Sequence, residues 1–218
     1  MKKIATLLLF VLLTCILSIS TLAEADKPFA GEEITIYNSY DYIVPEVLDL
    51  FTEETGITVN YATFYMNEDM YTRVSTGAGK YDVIFPAEYM VERMLKENLL
   101  EELNRDNIPN FANVLDSLRG PSFDPENAYS VPYMWGTVGI LYNTDLVEEP
   151  ITSWGALADE RYAGSVYMLD SVRDAIGPAL KYLGYSYNSH NVDEIEEAGQ
   201  WLLAQKASGQ VAGYILEV

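Results

Sequence analysis

A regular alternation of short β-rich runs and longer amphipathic runs, beginning near Glu33, constrains the fold more than any other feature of the chain. The first unit of this pattern predicts a strand over residues 34–37 and a helix over residues 44–55, and Gly56 supplies a helix stop signal. Strands separated by helices imply parallel sheets covered on both faces. The sequence therefore predicts an α/β fold of mostly parallel sheets flanked by helices. Further strands are predicted over 57–62, 81–85, 165–169 and 210–218, and further helices over 67–75, 89–97, 154–157, 172–183 and 192–206.

Two helix details follow from residue type and spacing. Asn67 stands where a side-chain cap is favoured, so we expect it to cap the helix that runs to residue 75. Apolar residues recur along one side of the helix predicted over 44–55, and we expect that side to be buried. It consists of Val47, Leu48, Leu50 and Phe51.

The second half of the chain carries two strand-like runs, 129–135 and 137–143, which are separated by Gly136. They predict a crossing between two lobes. The β-rich run over 210–218 would expose an edge at the end of the chain. Either an earlier strand pairs with it or the chain is incomplete.

The first 25 residues have the organisation of a secretory signal peptide. Two lysines precede an apolar run over 4–19, and a cleavage motif Ala-Glu-Ala follows at 23–25. An uncleaved signal anchor is an alternative, and lipid attachment at Cys15 is another. Either way, the sequence predicts a periplasmic or other extracytoplasmic protein.

The charge balance excludes one class of partner. The chain has 33 Asp and Glu against 13 Lys and Arg, for a formal net charge of −20. Nucleic-acid binders neutralise phosphates with clustered basic residues, so DNA and RNA are not expected as partners. A negative surface instead raises the local concentration of cations. No phosphate loop or paired-ligand metal motif is present in the sequence, and the sole histidine, His190, lies in a polar turn, so no cofactor or metal is expected.

Five blocks in order, 37–42, 51–57, 81–86, 129–136 and 152–154, resemble the periplasmic spermidine/putrescine-binding proteins of polyamine ABC transporters. The resemblance implies a two-lobed periplasmic-binding-protein (type II) fold that closes around a linear polyamine and delivers it to the permease subunits. It further implies an N-terminal fragment, truncated at the C-terminus. Its first lobe would span 26–136 and its second 137–218, both incomplete. We expect a monomer that meets the membrane only through the permease or a lipid anchor at Cys15.

In open α/β sheets, ligands bind beyond the carboxyl ends of the strands, which independently selects the segments 38–42 and 86–89. The resemblance adds the start of the helix predicted over 172–183. Ligand contact is thereby expected from Ser39, Tyr40, Asp41, Tyr42, Ala87, Glu88, Tyr89, Asp170, Ser171 and Asp174.

Each set of expected ligand residues can also be explained without a ligand. The tyrosines of the first loop could simply pack it, and Glu88 suits any helix N-terminus. Ser171 and Asp174 have capping-box spacing. Three positions depart from the family pattern: Ser39 replaces a frequent Trp, Ala87 a small hydroxyl residue and Ser171 an acidic residue.

Two other functions remain open from the sequence. The same fold could bind another solute, such as an amino-acid-like cation, a sugar or a chelated metal. A secreted hydrolase with paired carboxylates is a rival from a different class, although no pair stands out for that role. The chain could also lack a function of its own. The family resemblance predicts a binding protein rather than an enzyme.

Overall fold

The computed structural model describes residues 27–216. The predicted signal peptide over 1–25 and Cys15 lie outside the described residues. The chain forms two compact units that divide between Leu99 and Leu100. This division concerns local packing, and the lobe boundary after residue 136 stays a prediction. Within residues 27–216 no helix has both the length and the apolar content to cross a membrane.

The first unit contains a three-stranded parallel sheet with the strand order β2-β1-β3. This arrangement confirms the α/β prediction. The strand expected over 81–85 is reduced to two residues, whereas β1 and β2 pair over seven, from Glu33 with Thr58 to Ser39 with Phe64. The elements are β1 (Glu33–Ser39), α1 (Pro45–Thr55), β2 (Thr58–Phe64), α2 (Asn67–Ser75), β3 (Val83–Ile84) and α3 (Glu88–Lys96).

Aromatic and methionine side chains build the core of the first unit. The Tyr37 ring meets the Phe64 ring edge-on at 5.1 Å and stacks on the Tyr81 ring at 4.4 Å. Aromatic pairs of these geometries add about 0.5 to 1.5 kcal/mol beyond their buried area. The helices α2 and α3 contribute the fully buried side chains Met70, Met90 and Met94.

Helix α1 forms where the sequence predicts it, but the expected burial of its apolar side is wrong. Pro45 opens the helix, and Gly56 ends it at a φ of 75° with its N–H donating to the Thr52 carbonyl. No residue of α1 is buried, and Leu50 is 52% exposed. An amphipathic pattern buries a helix face only where another element covers it. Here β2 contacts α1 but covers only part of its apolar side. The expected core positions Val47, Leu50 and Phe51 are exposed, and Leu48 is half-buried.

The second unit begins with irregular chain and ends in a small α/β arrangement. Its two strands are parallel, so the run at the end of the chain pairs with an earlier strand. The elements are 3-10 turns at Arg105–Asn107, Pro109–Asn113, Asp116–Leu118, Trp154–Ala158 and Glu160–Tyr162, then β4 (Val166–Leu169), α4 (Val172–Tyr182), α5 (Val192–Ala207) and β5 (Val211–Ile215).

The core of the second unit joins the sheet to both helices. One cluster centres on Leu157 and Met168, the other on Leu180, and Trp201 packs against both. The buried Gln205 side chain donates from Nε2 to the Leu157 carbonyl at 2.6 Å. This bond connects α5 to the 3-10 turn at Trp154–Ala158.

A buried carboxylate organises the loop before the segment 129–143. Asp124 is only 4% exposed. Its Oδ1 accepts from the Ala128 N–H at 2.8 Å, and its Oδ2 accepts from the N–H groups of Tyr129 and Ser130 and from the Ser130 hydroxyl. Burial alone would raise the pKa of Asp124, but these four hydrogen bonds together hold the pKa below its usual value.

The two strands expected over 129–135 and 137–143 are absent, because no described strand pairs with either segment. A strand needs a neighbour to satisfy its backbone N–H and C=O groups. Large apolar side chains stay exposed there, with Trp135 at 72% and Leu141 at 81%.

Candidate ligand site

The parallel strands of the first unit bring three loops to one edge of the sheet. The loops are 39–42 after β1, 65–68 after β2 and 85–89 after β3, and the last two are taken to include the first residues of α2 and α3. Two hydrogen bonds hold this edge: the Tyr40 N–H donates to the carbonyl of Phe64, the last residue of β2, at 2.9 Å, and the Ala87 N–H donates to Asn67 Oδ1 at 2.8 Å. The two predicted ligand segments therefore lie at the same edge, after the adjacent strands β1 and β3.

The first loop is a tight turn that keeps its charged and aromatic side chains exposed. The Tyr42 N–H donates to the Ser39 carbonyl at 3.3 Å. Asp41 has a φ of 59°, a left-handed conformation that Asp tolerates better than most residues. Tyr40, Asp41 and Tyr42 are all exposed, whereas Ser39 is half-buried. The turn therefore exposes one carboxylate and two aromatic side chains.

An aromatic pair continues the β1–β2 ladder into the loops. The pairing of Ser39 with Phe64 makes Tyr40 and Tyr65 the next partners in register. Their rings stack with centroids 4.8 Å apart and an interplanar angle of 26°. Tyr65 is not among the ligand residues expected from the sequence. The signal for it was the register between two parallel strands, because residues opposite each other share a face.

The expected N-cap role of Asn67 is wrong. The N-cap of α2 is Met66, which makes no side-chain capping bond, and Asn67 lies one residue inside the helix. Its side-chain oxygen is engaged by the Ala87 N–H instead. The same helical turn supplies Glu68, whose Oε1 accepts from the Tyr89 hydroxyl at 3.0 Å. The loop after β2 thus fixes the loop after β3.

The remaining predicted residues of the third loop have separate environments. Ala87 is half-buried at the N-cap position of α3 and makes no side-chain cap. Glu88 is exposed in the first turn of α3, where a carboxylate favours the positive end of the helix dipole. This position accounts for Glu88 without a ligand.

A cavity of about 460 Å³ lies beside the edge of the sheet. Burial raises the pKa of the Tyr37 phenol in its wall; the Arg73 cation opposes the rise, and Tyr81 and Asp69 add to it. Charges of both signs therefore act on one buried phenol. The cavity is lined by Tyr37, Thr63, Phe64, Tyr65, Asp69, Thr72 and Arg73.

In the second unit, the predicted residues lie at the start of α4, directly after β4. The Asp170 N–H donates to the Ile215 carbonyl at 2.8 Å, which leaves its exposed side chain beyond the paired strand ends. Ser171 is the N-cap, and its hydroxyl oxygen accepts from the Asp174 N–H at 3.5 Å. The capping interpretation of Ser171 is thus confirmed.

Asp174 is fixed by a tyrosine from beyond the helix. Its Oδ1 accepts from the Tyr187 hydroxyl at 3.3 Å. The ring reaches this position because Gly177 has no side chain: a Cβ there would lie 2.1 to 2.5 Å from the Tyr187 ring. Neither residue was selected from the sequence. The N-terminus of α4 repels cations, so an ammonium group could bind there only against a carboxylate such as Asp170 or Asp174.

Each unit has exposed or half-buried carboxylates close to aromatic side chains: Asp41 lies in the same turn as Tyr40 and Tyr42, and Asp174 accepts a hydrogen bond from Tyr187. Carboxylates and aromatic faces both attract ammonium groups. Among the described residues, no group of three or more His, Cys, Asp or Glu side chains is placed to hold a metal ion.

The model of the bacterial extracellular solute-binding protein family matches residues 46–214, which is most of the chain. The chain belongs to this family. Its parallel sheets flanked by helices also agree with solved structures of relatives. The substrate-binding protein PotD of a spermidine/putrescine ABC transporter from Streptococcus pneumoniae aligns with a TM-score of 0.67 and 40% identity, over 84% of this chain and 56% of that one. The Tp0655 (TpPotD) lipoprotein of Treponema pallidum aligns with a TM-score of 0.78 and 29% identity, over 84% of this chain and 57% of that one.

Curated family members carry polyamine names. The spermidine/putrescine-binding periplasmic protein of Escherichia coli (strain K12) is 40% identical over 178 residues, covering 81% of this chain and 50% of that protein. The putrescine/agmatine-binding protein of Pseudomonas aeruginosa is 34% identical over 217 residues, covering 93% of this chain and 58% of that protein. The chain spans about half the length of the curated relatives it matches.

Proposed function

We propose that this family member is an extracytoplasmic receptor that captures putrescine or spermidine and delivers it to an ABC permease. One observation carries the proposal: Tyr40, Asp41 and Tyr42 form an exposed turn at the carboxyl edge of a parallel sheet. The polyamine names of the relatives support the choice of ligand. Export by a signal peptide over 1–25 and action as a monomer belong to the same proposal, with a lipid anchor at Cys15 as the alternative to free release.

A polyamine needs two kinds of contact, and the turn supplies both. Its methylene groups are apolar and pack on aromatic rings, while each ammonium group requires an anion or an aromatic face. A cation over a tyrosine ring gains about 0.5 to 2 kcal/mol, depending on solvent access. Asp41 adds a charge-assisted hydrogen bond of about 1.5 to 3 kcal/mol. Tyr89 extends the aromatic surface on the next loop, where its hydroxyl is oriented by Glu68.

Asp174 is our candidate for an ammonium partner in the second unit, with Asp170 beside it. The bond from Tyr187 holds the Asp174 carboxylate in one orientation, which reduces the entropy lost when a ligand binds. Ser171 then acts as a helix cap rather than as a direct ligand.

Capture and delivery require a change of shape. We propose that two lobes, one including residues 26–136 and the other residues 137–218, close around the polyamine and that the permease recognises the closed form. The ligand shifts the open–closed equilibrium only by its differential affinity for the two forms.

The second candidate is another small cationic solute, such as an amino-acid-like cation, in the same fold. It is favoured by Ser39 and Ala87, which depart from the family pattern at two expected contact positions. These departures remove an aromatic wall and a hydroxyl group and so bear on which solute fits.

Isothermal titration calorimetry of the protein expressed from its complete reading frame tests the proposal. We expect heat with putrescine or spermidine, and none with arginine or a monosaccharide. Asp41→Asn keeps a residue that tolerates the left-handed turn but removes the charge, and should weaken binding about tenfold or more. Glu54→Gln removes an exposed charge from α1 and is the matched control. Heat with another solute and none with either polyamine would exclude the polyamine assignment.

A further inference from the structure

We propose that Tyr65 is a positioning residue for the ligand: its ring stacks behind Tyr40 and fixes the ring face that receives the polyamine. This inference rests on the proposed function. The β1–β2 register ends with the pair of Ser39 and Phe64, so Tyr40 and Tyr65 are the next residues along the two chains. The Tyr40 N–H bond to the Phe64 carbonyl, 2.9 Å long, carries the ladder into the turn.

The geometry leaves one face of the pair for a ligand. The ring centroids are 4.8 Å apart at an angle of 26°, so each ring covers one face of the other. Tyr40 nevertheless remains 40% exposed and Tyr65 52% exposed. The uncovered face of Tyr40 belongs to the same turn as Asp41, whose carboxylate favours a cation.

The opposite side of the pair suits a cation less well. Tyr65 lines the cavity that also contains Asp69 and Arg73. The guanidinium of Arg73 repels an ammonium group, and it offsets the attraction of Asp69. Electrostatics therefore directs the polyamine to Tyr40, and Tyr65 acts through Tyr40 rather than by direct contact.

Stacking improves binding by restricting the ring. An exposed tyrosine samples several rotamers, and ordering its side chain on binding has an entropic cost that weakens the affinity. A stacked ring is already ordered before the ligand arrives. The pair also supplies an aromatic wall beside Ser39, at the position where the family often has Trp.

Three variants of the protein expressed from the complete reading frame distinguish the effect of ring stacking from the effect of side-chain size. Tyr65→Phe keeps the ring, Tyr65→Leu keeps an apolar side chain without a ring, and Tyr65→Ala removes both. We expect calorimetric Kd values for spermidine three- to tenfold weaker in the Leu and Ala variants and within twofold of the wild type in the Phe variant. In a Tyr40→Leu background, Tyr65→Leu should cost nothing further, because the two rings act as one unit.

NMR of the ligand-free protein provides an independent readout. With ¹³C-labelled tyrosine, the Tyr40 ring signals should lose a ring-current shift in Tyr65→Leu and keep it in Tyr65→Phe. No change in Tyr65→Leu would overturn the stacking itself. Equal weakening by Phe and Leu, or additive losses in the Tyr40→Leu background, would overturn the positioning role. A stack detected in a protein that gives no heat with either polyamine would overturn the proposed function and, with it, the role of Tyr65.

Discussion

Replacing the buried carboxylate of Asp124 should reveal how strongly it organises the second unit. Its two oxygens accept four hydrogen bonds from the chain over 128–130, at distances of 2.7 to 3.1 Å. A hydrogen bond to a charged group contributes about 1.5 to 3 kcal/mol. The four contributions do not add in full, because the bonds belong to one network and three of them share Oδ2. We therefore expect this variant to lose about 3 to 4 kcal/mol of unfolding free energy.

Asp124→Asn makes a finer test. Its amide oxygen can replace Oδ2 and keep the three bonds there, but its NH₂ group then faces the Ala128 N–H. The hydrogen bond from the Ala128 N–H is lost, and two N–H donors then face each other. We therefore expect the variant to lose about 1 to 3 kcal/mol of unfolding free energy. Asp116→Ala is the matched control, because that carboxylate is 94% exposed and its surface ion pair with Arg119 contributes at most about 1 kcal/mol.

The pH dependence has a definite sign. Because folding lowers the pKa of Asp124, its contribution is fully present above the unfolded pKa of about 3.9 and is lost as the pH falls through the folded pKa. Urea unfolding followed by circular dichroism should show a constant gap between wild type and Asp124→Asn from pH 5 to 8 and a shrinking gap below about pH 4. A gap that does not change with pH, or a loss under about 1 kcal/mol in Asp124→Ala, would refute this reasoning.

Three further changes test the contacts around the candidate site. Gly177→Ala should displace the Tyr187 ring and cost about 1 to 3 kcal/mol of stability, measured by thermal unfolding; an unchanged Tm would contradict the close approach. Ser171→Ala should cost about 1 kcal/mol in urea unfolding, and Ser171→Thr should retain most of the capping; equal losses would exclude a hydroxyl cap. Asn67→Ala removes the acceptor of the Ala87 N–H, so exchange of that amide should accelerate about tenfold, whereas an unchanged rate would show that the bond does not hold the loop.

The parallel sheet was predictable because its signals are local. Periodicity and stop signals locate β1, α1 and β2, and a helix between two strands implies their parallel pairing. Burial was less predictable: the apolar side of α1 is visible in the sequence, but whether another element covers it is not. The missing strands at 129–143 have the same cause, since residue type favours a strand only when a partner is available.

Some parts of the candidate site could likewise be predicted from the sequence, and others could not. The loops that follow β1 and β3 could be selected because strands of a parallel sheet end at one edge. Tyr65 depends on the register between two strands, which no local pattern specifies. Asn67 has a residue type that favours a cap, yet a hydrogen bond to Ala87, twenty residues away, takes its side chain. Tertiary contacts therefore decided the details that local preference left open.

A crystal structure of the protein from the complete reading frame, grown with spermidine, tests the central claim most directly. We predict the amine against the rings of Tyr40 and Tyr42, with an ammonium group within hydrogen-bonding distance of Asp41. Spermidine bound away from these residues, or an anion held at the loops 39–42 and 87–89, would contradict the account.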